Sequence, residues 1–338
     1  MSPNFNVSPN LQYFKKLTTK IGMFQHGNLN KPDPKHGYSI DDNARALIVA
    51  YQIFENFNDN YILQLSRIYL GYLTRSKIKG GYFHNFADKN NVYLDDVGSE
   101  TSTGRAIWAL GYVASREGVN HEQAVLAKRT LQDLPSTSLL FHIRSKAYAL
   151  IGYYYIKDKA RVNLLARSLV ESFNRYKNED WFEDNFEYAN GILSFALFLA
   201  YNLTKNKNYL KTAEKSYIFL DKMTRKPNFV CPIGHNGHKI GSKRVETYDQ
   251  QAIEAADMVL AAKAGFLATG NTFYNKSAYD WFAWFLGNNV KKISLLNGAT
   301  GACFDGITPT GLNKNNGAES VLCYLLAYNA MSSDKVLQ

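Results

Sequence analysis

Paired carboxylates are the residues of this sequence best suited to chemistry. Asp41 and Asp42 are adjacent in "GYSIDDNARALIVA", Glu183 and Asp184 in "DWFEDN", Asp249 and Glu254 share "TYDQQAIEA", and Asp305 stands in "GACFDG". Repulsion and partial burial hold a proton on one carboxyl of such a group while another stays ionised. An acid beside a base is what cleavage of a glycosidic bond needs. Each acid also has a purely structural reading. Ser39–x–x–Asp42 has the form of a capping box, and Thr247–x–x–Gln250 and Asn316–x–x–Glu319 occupy equivalent places before two other apolar segments. A cap uses one acid, which leaves Asp41 beside Asp42 without a structural task.

Other polar residues fall in the same stretches. Arg45 and Arg105 lie shortly after "DDNA" and "STG", and Arg144 lies within "FHIRSKAYAL". A buried arginine takes an acid partner, so these either pair with the carboxylates or hold a substrate hydroxyl or phosphate. Trp181, Phe182, Tyr188 and Phe304 sit inside the acidic segments, where sugar-stacking rings would be wanted, whereas Trp108 and Tyr248 fit a core. With Glu100, Gln250 and Glu319, the candidate substrate-binding set is Asp41, Asp42, Arg45, Glu100, Arg105, Trp181, Tyr188, Gln250, Asp305 and Glu319. His235 and His238 in "IGHNGHK" read as rim-loop histidines rather than metal ligands, so no metal and no cofactor is expected.

The elements that must position these groups are helices. Six segments are apolar nearly all round: "NARALIVAYQIF", "GRAIWALGYVA", "SKAYALIGYYYI", "GILSFALFLAY", "AIEAADMVLAAKAGFL" and "ESVLCYLLAY". A helix apolar on every side is buried on every side. Five amphipathic segments alternate with them, near 61–75, 121–133, 158–174, 207–223 and 272–286. The sixth partner is the N-terminal "LQYFKKLTTKIGMF", which pairs with the last inner helix and closes a ring. The expected fold is therefore all-α, an (α/α)6 barrel forming a single toroid domain over residues 1–338, with short β-hairpins in the rim loops. "GGYFHNFAD", "DWFEDNFEY", "CPIGHNGHK" and "GACFDGITPTG" precede inner helices and so gather on one rim, where sites are built.

Composition narrows the function. With 46% hydrophobic and 20% charged residues the chain is an ordinary packed protein. The net charge of +10 raises nucleic acid as a partner, but the lysines are scattered over solvent faces and no nucleic-acid motif accompanies them. Cys231, Cys303 and Cys323 are too few and too separated for a disulfide framework or zinc site. No secretory leader or membrane-length apolar run is read, and the expected location is cytoplasmic.

"GYSIDDNARAL", "GRAIWALG", "WFEDNFEYANG", "YDQQAIEA" and "LNKNNGAESVLCYLLA" together resemble an (α/α)6-barrel family of the six-hairpin glycosidase superfamily, over about Gly22 to Ala327. The pattern departs at Ala252, where a proline is expected, and at Val321, where a threonine is more usual. The resemblance implies a carbohydrate-active protein, glycoside hydrolysis being the commonest chemistry. It also implies a mannose-containing oligosaccharide among the candidate substrates, and a glycosyltransferase or phosphorylase of the same pathway as a partner.

The leading expectation is an inverting glycoside hydrolase, with Glu183 or Asp184 as the acid and Asp249 as the base. Asp41 and Asp42 would then grip sugar hydroxyls, with Arg45 holding them. A sugar isomerase or epimerase on the same barrel is the alternative, and would use His36, His142 or His235. A third reading is a non-catalytic glycan-binding partner of a glycosyltransferase.

Overall fold

The computed structural model describes residues 4–132, 134, 140–176, 179–241 and 246–338. Six helices form the inner ring: α2 (Ile40–Phe57), α4 (Glu100–Ala114), α6 (Ile143–Tyr155), α8 (Gly191–Thr204), α10 (Ala252–Thr269) and α12 (Ala318–Ser332). Each packs on the next, and α12 packs on α2, so the ring closes. Outside it lie α3 (Asn60–Ser76), α5 (His121–Gln132), α7 (Lys159–Arg175), α9 (Lys207–Thr224) and α11 (Thr272–Ala283). The last residue of the segment expected at 121–133 lies outside the described residues. This is an (α/α)6 barrel.

The N-terminal segment is shorter than its pattern predicts. Only α1 (Gln12–Leu17) is helical, and it packs against α12. Thr18 then turns extended, and the chain doubles back so that Thr18 bridges Met23. Thr19 Oγ1 accepts from the Ile21 and Gly22 amides, a local alternative that competes with helix.

Small residues set the inner spacing. A Cβ on Gly111 would lie 2.1 Å from the Gly152 carbonyl oxygen, and one on Gly152 would lie 2.3 Å from that of Ile107. At this crossing α4 and α6 touch backbone to backbone, which only glycine permits.

The two rims are built differently. On one, α2, α8 and α10 end in left-handed Asn58, Lys205 and Gly270. The next residues, Asp59, Asn206 and Asn271, immediately cap α3, α9 and α11, making the turns as short as they can be. A 3-10 turn, Asp334–Leu337, crosses this end from α12 toward α6. Val336 and Leu337 are buried there, and the Tyr154 and Tyr155 hydroxyls donate to the carbonyls of Leu337 and Val336.

The other rim carries the long loops. Strands of two or three residues stitch them together, some as the expected short hairpins, such as Gly27–Asn28 with Lys31–Pro32 and Leu296–Asn297 with Ala302–Cys303, and others between distant loops. Tyr38–Ser39 pairs with Phe86–Ala87, Asn185–Phe186 with His238–Lys239, and Gln250–Gln251 with Gly306–Thr308, all antiparallel. Loops cross-linked in this way hold side chains in place over the barrel mouth. Among the described residues, no helix is long and apolar enough to cross a membrane.

Candidate active site

A cleft of about 900 Å³ opens on the long-loop rim, lined by Asp41, Arg105, Glu187, Tyr188, Glu246 and Glu319 among others. A second chamber of about 360 Å³ adjoins it, lined by His26, Asp249, Gln250 and Asp305. His235, Gln251 and Glu319 line both and form the waist between them. Asp249 holds a left-handed backbone at φ 57°, a strained conformation for a residue with a side chain.

The first turns of α2 and α12 are clamped beneath this surface. Ser39 Oγ accepts from the Asp42 amide at 3.1 Å, the N-cap half of a capping box, and donates to the Asp42 carboxylate at 2.6 Å in place of the backbone bond that would complete it. Arg45, only 3% exposed, donates to Asp42 Oδ1 at 3.1 Å and to Glu319 Oε2 at 2.8 Å. Burial pushes the Asp42 carboxyl up to about 7, against the opposing pull of Arg45. Asp41 is held more loosely: its Oδ1 forms an ion pair with Arg105 Nε at 3.4 Å, and neither atom makes a hydrogen bond.

The other two expected capping boxes do not form, because α10 begins only at Ala252 and α12 at Ala318. Carboxylates from neighbouring elements cap the helix starts instead. Asp305 Oδ1 accepts from the Gly317 amide and from Ser320 Oγ at the head of α12, while burial holds its carboxyl above the ordinary range. Glu254, on α10, accepts from the Ala189 and Asn190 amides at the head of α8. Glu100, on α4, accepts from Phe141 and His142 at 2.7 and 2.9 Å and so caps α6. No local sequence pattern marks a cap delivered from another helix.

The candidates thus divide. Asp41, Arg105, Tyr188, Asp249, Gln250, Asp305 and Glu319 are brought together around the two chambers, with Asp42 and Arg45 beneath. The Gln250 amide is already engaged by Trp284 Nε1, Cys231 Sγ and the Thr247 carbonyl. Glu100 is a cap away from the cleft. Glu183 and Asp184 open instead onto a groove of about 450 Å³ beside Arg175 and Lys239, which shares Lys239 with the cleft. There Glu183 pairs with Arg144 at 2.8 Å, and burial raises its carboxyl against that pull. Trp181 differs from expectation too. It is wholly buried against Phe182, Phe186 and Phe219, so its ring offers no face to a sugar. His238 is likewise buried, stacked on Phe186, while His235 is exposed at the waist.

Asp257 on α10 was not singled out in the sequence, although a lone acid in "AADMVLAA" is a signal of its own. It is 5% exposed, and burial pushes its carboxyl up to about 8, with Arg105 acting in the other direction. Among the described residues, His142, Glu183 and Glu187 are the one trio with ligand atoms within 4.8 Å of one another. Arg144 Nη1 already reaches both carboxylates, and its charge disfavours a cation there.

No protein-family model matches the sequence, and no curated protein sequence matches it. Solved structures do. A sugar epimerase from a ruminal bacterium superimposes with TM-score 0.74 at 11% identity, over 97% of this chain and 96% of its own. The chain has the fold of the six-hairpin glycosidases. A D-mannose isomerase gives TM-score 0.72 at 14% identity over 100% and 99% of the two chains. An inactive variant of an α-1,6-mannanase from Salegentibacter, in complex with α-1,6-mannotriose, gives 0.62 at 14% identity over 97% of each.

Proposed function

We propose that this barrel is a glycoside hydrolase acting on an oligosaccharide at the rim cleft. The observation that carries the reading is the convergence of Asp41, Glu187, Glu246, Glu319, Asp249 and Asp305, from separate helices and loops, on two connected chambers. Asp305, whose burial favours its protonated form, gives a proton to the glycosidic oxygen. Asp249, exposed and strained in the same chamber, takes a proton from water. The water oxygen bonds to the anomeric carbon as the old C–O bond breaks. Glu319, held by Arg45 at the waist, faces the positive charge that develops. The mannanase of the same fold is inactive when two consecutive aspartates are replaced by asparagine, which supports carboxylate chemistry and a mannose-containing substrate here.

A second reading, epimerisation or isomerisation of a reducing sugar, is favoured by His26 and His235 lining the smaller chamber. The test is proton NMR in D2O with manno- and gluco-oligosaccharides. A new anomeric signal of opposite configuration, lost in Asp249→Asn, supports an inverting hydrolase. Deuterium entering at C2 of a reducing sugar without chain cleavage sinks it in favour of the second reading.

A further inference from the structure

The exposed apolar side chains of this protein are unevenly placed. Phe86 to Leu94 make a hairpin on the long-loop rim: the Leu94 amide donates to the Phe86 carbonyl, Ala87 bridges Tyr93, and the Asp88 amide donates to the Val92 carbonyl. Side chains alternate across such a ribbon. Ala87 and Tyr93 take its inner face, where Ala87 is buried and Tyr93 stacks on His84 at 4.1 Å. Phe86, Val92 and Leu94 therefore share the outer face, all of them exposed, Leu94 by 64%, and Val97 just beyond is exposed too. Two more loops of this rim do the same. Phe141, before α6, is 73% exposed, and exposed Leu29 sits at the tip of the Gly27–Pro32 hairpin with φ 50°. A leucine held in left-handed backbone and in water is unfavourable twice over, where asparagine or glycine would serve. The turns of the opposite rim, Asn58–Asp59, Lys157–Asp158, Lys205–Asn206 and Gly270–Asn271, carry no apolar side chain.

Charge is sorted on the same rim. The exposed acids Glu187, Glu246 and Asp249 line the cleft and its adjoining chamber. Exposed Lys31, Lys35, Lys89, Lys292 and Lys314 lie outside both. Two acids of the hairpin are engaged by its own backbone: Asp88 accepts from the Asn90 and Val92 amides, and Asp95 from those of Asn85 and Phe86. Asp96 remains exposed and opposes an anionic partner. The outer face is aliphatic apart from Phe86, so it gives a sugar little flat ring to stack on. It is a projecting face rather than a groove, which suits a soft partner. A second copy would bring two chains of charge +10 together. An anionic lipid surface meets both features, because apolar side chains enter the headgroup layer while lysines around them meet its charge.

We propose that the long-loop rim docks on an anionic membrane, with Phe86, Val92 and Leu94 of the hairpin entering the headgroup layer. The hairpin is tied to the cleft mouth. Phe86 pairs with Ser39, two residues before Asp41, and Ser99 follows Val97 by two; Asp41 and Ser99 both line the cleft. Docking therefore turns the mouth toward the lipid surface, and the glycan it receives is one anchored there. That last step rests on the hydrolase reading; the docking stands apart from it.

The test is flotation of the whole chain with vesicles of phosphatidylcholine alone and of phosphatidylcholine mixed with phosphatidylglycerol. The expected result is association with the mixed vesicles only, weakened about tenfold or more in the double variant Val92→Ser/Leu94→Ser, which removes two apolar side chains from the contact. Both positions are exposed, so the variant keeps its fold and its cleavage of soluble oligosaccharides. Insertion is read separately with Leu94→Trp. The 4 native tryptophans are buried, so quenching by brominated lipid reports the new indole. Failure of the chain to float with the mixed vesicles overturns the docking. Equal flotation of the double variant, or no quenching of Leu94→Trp, overturns the hairpin's part and leaves only adsorption of a basic protein. A wild-type dimer that the double variant turns into a monomer assigns the face to a second copy and overturns the proposal as well. Flotation without cleavage of any glycan retains the docking and removes the hydrolase, whereas cleavage without flotation does the reverse.

Discussion

Replacing Asp257 by asparagine is expected to stabilise the protein in neutral and alkaline solution. The carboxyl is pushed from 3.8 to about 8 chiefly by burial, and the charges that face it are Arg105, Arg45, Glu254 and Glu319, with Tyr148 and Cys323 also near. Because the folded value is raised, the acid favours folding below about pH 4 and loses that contribution as pH climbs to about 8. A gap of about four pH units corresponds to a ceiling of about 6 kcal/mol. Relaxation and water entry around a buried anion return part of this, which leaves about 3 kcal/mol. Asparagine keeps the shape and cannot ionise. Urea midpoints of the two proteins should therefore diverge in favour of the variant from pH 5 to pH 8, then run parallel. A difference that stays constant from pH 5 to pH 9 refutes the placement of Asp257 as a buried, titrating acid.

Other outcomes follow from the same geometry. Glu100→Ala removes the cap from α6 and should cost about 1–2 kcal/mol in chemical unfolding, without altering KM. Gly111→Ala forces a Cβ to within 2.1 Å of a carbonyl oxygen and should cost more than about 3 kcal/mol, seen as a fall in Tm or loss of soluble protein. Asp249→Gly relieves the left-handed backbone, gaining about 1 kcal/mol while abolishing sugar release; a variant that gains neither stability nor loses activity would argue against Asp249 as the base. Arg45→Met leaves Asp42 buried without its partner, and its cost of about 3–5 kcal/mol should shrink toward pH 5 as Asp42 takes up a proton.

The helices were legible because their signal is periodic. An all-apolar stripe of alanine and leucine can only be an inner helix, and the five amphipathic segments came out as α3, α5, α7, α9 and α11 within a few residues. The N-terminal segment failed where Thr18 and Thr19 offered the backbone local hydrogen bonds that pattern reasoning does not weigh. Site residues were harder for a different reason. An acid in the first turn of a helix reads the same whether it bonds its own N-cap, as Asp42 does Ser39, or caps another helix, as Glu100 and Glu254 do, and Asp305 caps α12 from a loop twelve residues upstream. "DWFEDN" looked like a sugar platform because aromatics and acids alternate there, but tertiary packing turned Trp181 inward and sent Glu183 to Arg144. Asp257 needed the ring itself, since its relation to Arg105 crosses the barrel and spans 152 positions (257 − 105) of chain.

The segment that crosses the short-loop rim from α12 to the Tyr154–Tyr155 end of α6 closes that end of the barrel. Traffic is therefore single-ended. Whatever enters the chambers at the long-loop rim leaves by the same mouth, so a released product stands in the way of the next substrate and competes with it directly.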